Sequence, residues 1–217
     1  GRQPSGPYRG ERWNGLVAEG VVTRTVRDTA LALDISHGGD LGAPYASPAP
    51  DSFLADLDKA PKKIRIAFSD RALYGDQTHP SNREAMMQTV ALLQELGHDV
   101  EEACPKYNKE AMVRAYYLTV STGVALGVRQ IEEKIGRKMK ESELELSSWA
   151  LATIGETITA GEYSYNIDLM HRETRRVAQF FTKYDLFLTP TAAQPPVPIG
   201  QFKLSSSDRM QIRILKR

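Results

Sequence analysis

The stretch Gly20-Val21-Val22-Thr23-Arg24-Thr25-Val26-Arg27-Asp28-Thr29-Ala30-Leu31-Ala32-Leu33-Asp34 decides how this chain is read. Thr25 can cap a helix, with Asp28 three residues on in the capping-box arrangement. Val26, Ala30 and Leu33 recur at i, i+4 and i+7, which places them on one helical face. Gly38-Gly39 supplies the stop. Arg24, Arg27 and Asp28 gather at the first turn. They read either as a buried charge network or as a capping Asp28 beside two solvated arginines. A structural role is preferred, since a cap alone contributes about 1 kcal/mol.

On either side of this helix the chain is irregular. Residues 1–22 are rich in Gly and Pro and read as a loop, and residues 40–62 as a proline-rich surface connection. Beyond them lies a βαβ-type pattern. Ile64, Ile66 and Phe68 alternate as in a strand with one buried face. Pro80 and Ser81 open a helix with the stripe Met86, Val90 and Leu93, and Gly97 ends it. His98 to Ala103 reads as a second strand. Helices are expected near 108–135, 141–156 and 162–183, the third with a semi-buried face of Ile167, His171, Thr174, Val177 (or Ala178) and Phe181. Leu186-Phe187-Leu188 is a short apolar strand. Gln194 to Pro198 must be extended, because proline fixes φ and blocks both helix and ladder. Residues 210–217 read as a helix interrupted in mid-pattern. So few strands beside so many helices is lopsided for an α/β protein, and predicts that further strands come from elsewhere.

Composition sets the outer bounds. The 217 residues carry a net charge of +1, which gives no argument for nucleic acid or an acidic membrane as partner. The single cysteine, Cys104, excludes an internal disulfide framework and fits a reducing, cytoplasmic setting. It ends a predicted strand and reads as a packed thiol. No apolar run approaches a membrane span. The chain opens without Met and without the apolar core of a signal peptide, so both ends read as cuts from something longer.

Three pieces in order resemble the amidase signature family. Gly1-Arg2-Gln3-Pro4-Ser5 is similar to the family's Gly-Leu-Lys-Pro-Ser/Thr element, departing at Arg2 and Gln3. Residues 20–38 match its Gly-Pro-x-x-Arg-Thr/Ser-Val-Arg-Asp helix, with Val21 in place of Pro. Thr189-Pro190-Thr191 matches a late strand-to-loop element. The segment Gly6 to Leu16, with Arg12-Trp13-Asn14-Gly15, is similar to the branch named for hydrolysis of the 6-aminohexanoate cyclic dimer. The resemblance implies a partial amidase-signature α/β fold, a mixed twisted sheet flanked by helices with strands missing. It treats residues 1–217 as one partial domain, with 1–40 the end of the signature region and 41–217 the substrate-cleft and scaffold part.

The resemblance also implies a mechanism. A serine attacks the amide carbonyl, a second serine held by a cis peptide relays the proton, a neutral lysine is the base, and backbone N–H groups hold the oxyanion. Those residues belong upstream of Gly1, so no catalytic residue is assigned and the chain alone is expected to be inactive. The implied partner is a small-molecule amide substrate, linear or cyclic, with no metal and no organic cofactor. Two alternatives stay open. One is a non-catalytic amidase-like binding or scaffold domain. The other is an A-type glutamyl-tRNA amidotransferase subunit, whose usual Phe-Ala-Ser-Ser-Leu-Asp-Gln stretch is not found here.

The best cleft candidates lie in Tyr116 to Ala125, where small and hydroxyl residues in mid-helix allow a helix or a ligand to come close. They are Tyr117, Ser121, Thr122 and Gly123, with Thr191 at a strand end, where α/β sites gather. Trp149 and Tyr163 read as core aromatics or cleft walls. His37, His79, His98 and His171 show no metal-ligand spacing and read as structural or exposed, His171 as semi-core. Missing strands leave an open edge, which predicts homo-oligomers or edge-mediated self-association.

Overall fold

A computed structural model describes residues 2–7, 10–45, 47–71 and 77–214, with the backbone alone at Arg213. Gly1 of the first family element and residues 215–217 of the expected last helix lie outside the described residues. The chain forms two compact units that divide between Lys62 and Lys63.

In the first unit, α1 (Val26–Ser36) begins where expected, with the Thr25 hydroxyl accepting the Asp28 N–H at 3.1 Å. Its covered face is smaller than the periodicity suggests. Ala30 is buried, but Val26 is 72% exposed, because the short α2 (Phe53–Asp56) gives it little to pack against. This α2 lies inside the proline-rich connection. Asp34, which ends the quoted stretch, organises its start. The carboxylate accepts the Ser52 hydroxyl at 2.8 Å and the N–H groups of Phe53 and Leu54 at 2.6 and 3.2 Å. These are the orphan donors of a helix start, satisfied here from another helix. His37 adds an edge-on ring contact to Phe53 at 5.4 Å. The N-terminal strap is stitched alongside: the Arg2 carbonyl accepts from Gly38 and its guanidinium donates to the Pro48 carbonyl.

The second unit is built on a parallel three-stranded sheet in the order β2-β1-β3, with β1 (Arg65–Phe68), β2 (Asp99–Glu102) and β3 (Leu186–Leu188). Consecutive Ile66 and Ala67 are 2% and 0% exposed, so β1 is covered on both faces rather than one. That is how the central strand of a parallel sheet is normally placed. The crossover helix α3 (Pro80–Glu95) buries Met86 and Val90 and turns at Gly97, whose φ of +88° suits a residue without Cβ.

Three helices fill the long connection from β2 to β3: α4 (Lys109–Ile135), α5 (Leu146–Thr157) and α6 (Ala160–Phe180). A short 3₁₀ turn, Glu141–Glu143, stands apart from α5. By length and composition α4 is long and apolar enough to cross a membrane, contrary to the sequence reading. It packs on α5 and α6 along one side, burying Ala115, Thr119, Val120, Ser121 and Ala125. The seam with α5 is so close that a Cβ on Gly155 would stand 2.2 Å from the Ser121 carbonyl oxygen.

The covered face of α6 differs in part from the expected one. His171 and Thr174 are exposed and Phe181 is 45% exposed, while Asn166 and Glu173 are buried. Ile167 and Val177 stay half-buried as read, and two polar residues take the innermost positions. Asn166 donates to the Glu162 carbonyl, and Glu173 accepts the Asn108 N–H at 2.8 Å and an Arg176 N–H at 2.7 Å. Cys104 is exposed rather than packed, since β2 stops at Glu102 and the thiol falls outside the ladder. The last helix, α7 (Ser206–Ile214), starts earlier than read, because Ser205 and Asp208 cap it reciprocally.

The protein exposes 16020 Å² of surface. Two separately folded units of these sizes would expose roughly 12,000 Å² together. Apolar side chains in water contribute to the excess, among them Val22, Ile35, Leu186, Ile199 and Phe202.

Candidate functional site

The sequence candidates fall in three places. Tyr117, Ser121, Thr122 and Gly123 lie along α4. Ser121 is 2% exposed and its carbonyl faces Gly155, so the close approach expected at this stretch is made by α5. Thr122 turns its hydroxyl back to the carbonyls of Leu118 and Thr119 at 2.9 and 3.0 Å. Gly123 is half-buried, and Tyr117, 60% exposed, sets its ring edge-on to Tyr116. Thr191 is exposed just past β3. Its loop is fixed by Asn82, which donates to the Ala192 carbonyl, and by the His79 N–H, which donates to Ala193, at 2.8 Å each. Thr191 therefore sits at the carboxyl end of the sheet, beside the point where the strand order reverses around β1, a position where α/β proteins commonly bind ligands. Among the described residues no hydrogen bond joins Thr191 to the α4 group.

The third place is the first turn of α1. Arg24, Arg27 and Asp28 are exposed, and Arg27 reaches Asp58 at 3.5 Å. This is the capping arrangement with solvated arginines, not a buried network. Trp149 and Tyr163 are half-buried. Among the described residues no three His, Cys, Asp or Glu side chains gather in metal-binding geometry.

Two of the cavities among the described residues stand out, and neither was read in the sequence. One, of about 530 Å³ in the first unit, is lined by Arg2, Gln3, Ser5, Asp40 and Tyr45 among others. Gly6 stands at its wall against the Asp40 carboxylate, which would have to swing aside for a Cβ there. The other, of about 930 Å³, opens in the second unit between the start of α5 and residues 197–209. Leu144, Leu146 and Leu204 are half-buried in its lining, and Lys140, Lys203 and Arg209 bring positive charge. None of the sequence candidates lines either cavity. The one signal for the second was an apolar pair, Ile199 and Phe202, flanking Gly200 after a proline run.

Titratable groups also form surface clasps. Lys183 bonds the Glu101 carboxylate at 2.6 Å and the Tyr184 hydroxyl at 2.9 Å, which together push its ammonium up to about 12. Tyr184 donates to the same carboxylate. Arg137 and the Lys140 N–H hold Glu143 down to about 2.

Comparison with known proteins adds three findings. A family model described as Amidase matches residues 1–216. A 6-aminohexanoate-cyclic-dimer hydrolase of Pseudomonas sp. (strain NK87) is 26% identical over 219 residues, an alignment covering 98% of this chain and 44% of that protein. A protein described as a putative amidase from Synechocystis sp. is 27% identical over 213 residues, covering 97% of this chain and 39% of its own length. The chain thus spans less than half the length of these relatives. A solved structure of 6-aminohexanoate cyclic dimer hydrolase superposes with a TM-score of 0.76 at 24% identity, over 84% of this chain and 38% of that one. That likeness shows a shared fold.

Proposed function

Since the chain belongs to the amidase family, we propose that it is part of a hydrolase acting on carboxamide bonds, linear or cyclic. The single observation that carries this reading is the family match running through residues 1–216. In this reading the serine nucleophile, the cis-held second serine and the lysine base lie outside these residues. In support, the sequence contains no Gly-Gly-Ser-Ser-Gly loop, while the elements that flank such a loop downstream in the family are present. The chain supplies scaffold and cleft wall, with the loop at Thr191 held at the carboxyl edge of the sheet.

The chemistry asks little more of this part than rigidity. An activated nucleophile and preorganised oxyanion donors work only when their supports do not move. The Asp34 clasp and the α4–α5 seam are the rigid features available here.

The test has two arms. The purified chain is assayed on a panel of linear and cyclic carboxamides with a fluorophosphonate serine reagent as control. It is then fused behind the whole part of the Pseudomonas relative that precedes the aligned region, and assayed again. Turnover only in the fusion, abolished by the reagent, is expected. Reagent-sensitive turnover by the chain alone would refute the placement of the catalytic set. A folded but inert fusion would refute the amidase reading and favour a scaffold role.

A further inference from the structure

We propose that the 930 Å³ cavity of the second unit binds an aliphatic chain that ends in a carboxylate. Its volume lies in the range of small-molecule sites. Leu144, Leu146 and Leu204 are half-buried in its lining and supply apolar surface for an aliphatic chain. At the edge, Ile199 and Phe202 stand 107% and 83% exposed, and an apolar ligand would take their surface out of water. The lining is thus mixed, with leucines beside charged and hydroxyl side chains, as an amphiphilic ligand requires.

Charge selects the end group. Lys140, Lys203 and Arg209 line the cavity against Glu141 and Glu145, so the lining is net positive. Among the described residues none of the three cations enters an ion pair. The start of α5 reinforces them. Glu145 occupies its cap position but makes no side-chain bond to the first-turn N–H groups, which leaves the positive end of the helix facing the same space. A carboxylate is therefore placed at Lys203 and Arg209, with its chain over the leucines. Resting on the amidase reading, the consequence is a preference for amides whose acyl chain carries a distal carboxylate.

Calorimetric titration of the 217-residue chain with octanoate, octylamine and octanamide tests the site. Saturable octanoate binding, weaker octanamide binding and at least a tenfold loss with Lys203→Gln/Arg209→Gln are expected. Both replaced residues are exposed, so the fold should survive, and circular dichroism checks that it does. Octylamine binding as tightly as octanoate, an unchanged affinity in the double variant, or no saturable octanoate binding at millimolar concentration would overturn the proposal. Calorimetry reads binding without turnover. An inert amidase fusion therefore leaves octanoate binding standing, and a chain blind to octanoate leaves amide hydrolysis standing.

Discussion

Replacing Gly155 by alanine tests the packing of the second unit at its tightest point. The new Cβ would stand 2.2 Å from the Ser121 carbonyl oxygen, 2.6 Å from its carbonyl carbon and 2.9 Å from the Ala125 Cβ. Two of these atoms are backbone and cannot swing aside. To restore van der Waals contact α5 must retreat by roughly 1 Å, which loosens contacts along the whole seam. Overpacking of this kind costs about 1–3 kcal/mol, and collision with backbone puts it at the upper end. The alanine returns about 1 kcal/mol of helix propensity. The net loss is then about 2 kcal/mol, or a fall in Tm of roughly 4–8 °C for a unit of this size. Gly127, in α4, is the matched control, because nothing lies within 4 Å of the Cβ it would gain. Gly127→Ala should keep the propensity gain of about 1 kcal/mol and raise Tm by roughly 2–4 °C. Thermal unfolding followed by far-UV circular dichroism reads both. Shifts of the same sign, or a more stable Gly155→Ala, would refute the packing argument.

Other perturbations reach different parts of the chain. Glu173→Ala leaves the Asn108 N–H without its acceptor and should cost about 1–3 kcal/mol, whereas Glu173→Gln keeps an amide oxygen there and should cost less; urea unfolding separates them. Asp34→Ala should strip protection from the Phe53 and Leu54 amides in hydrogen exchange while α1 stays protected, and uniform protection would contradict the clasp. Burial works against the Asp34 charge, but the Ser52 hydroxyl and those two N–H groups outweigh it and lower its pKa. Glu143 is depressed to about 2 by Arg137 first and the Lys140 N–H second. Its folded-state value lies below the unfolded one, so its stabilisation is fully present above about pH 4.3 and is lost as pH falls through 2. Carboxyl NMR should show the low midpoint, rising toward the ordinary value in Arg137→Ala. Finally, the outer strand β2 carries Asp99, Glu101 and Glu102, whereas β3 is Leu-Phe-Leu with Leu186 53% exposed. We propose that the chain self-associates through β3. Light scattering should show association at high concentration that Leu186→Lys suppresses, and a monomeric parent chain would rule the edge out.

Much of the fold was legible because its signals are local. The Thr25 cap, the Pro80 start, the Gly97 stop and the strand Leu186 to Leu188 each lie within a few residues of the structure they specify. What escaped depends on distant partners. The apolar periodicity of α6 suggested His171 and Thr174 inward. The innermost positions are taken instead by Asn166 and Glu173; Glu173 accepts the N–H of Asn108, 65 residues away, a partner that no pattern of hydrophobic residues marks. Small residues around Ser121 announced a close approach but not what approaches, and it was a single glycine in α5. The larger cavity joins segments some 50 residues apart in sequence, Leu144 to Ser147 and Val197 to Arg209, so no window of sequence contained it. Family resemblance supplied the rest, and carried no residue of the chemistry into this chain.

The Asp34 clasp separates two things that usually go together, the length of a loop and the geometry of its ends. One carboxylate holds Ser52, Phe53 and Leu54 to the far end of α1 whatever path the chain takes between them. Closing a loop twice as long costs only about 0.6 kcal/mol more. A flexible peptide inserted after the exposed Ala49 should therefore leave both helices in place. That makes this irregular stretch a practical socket for a reporter.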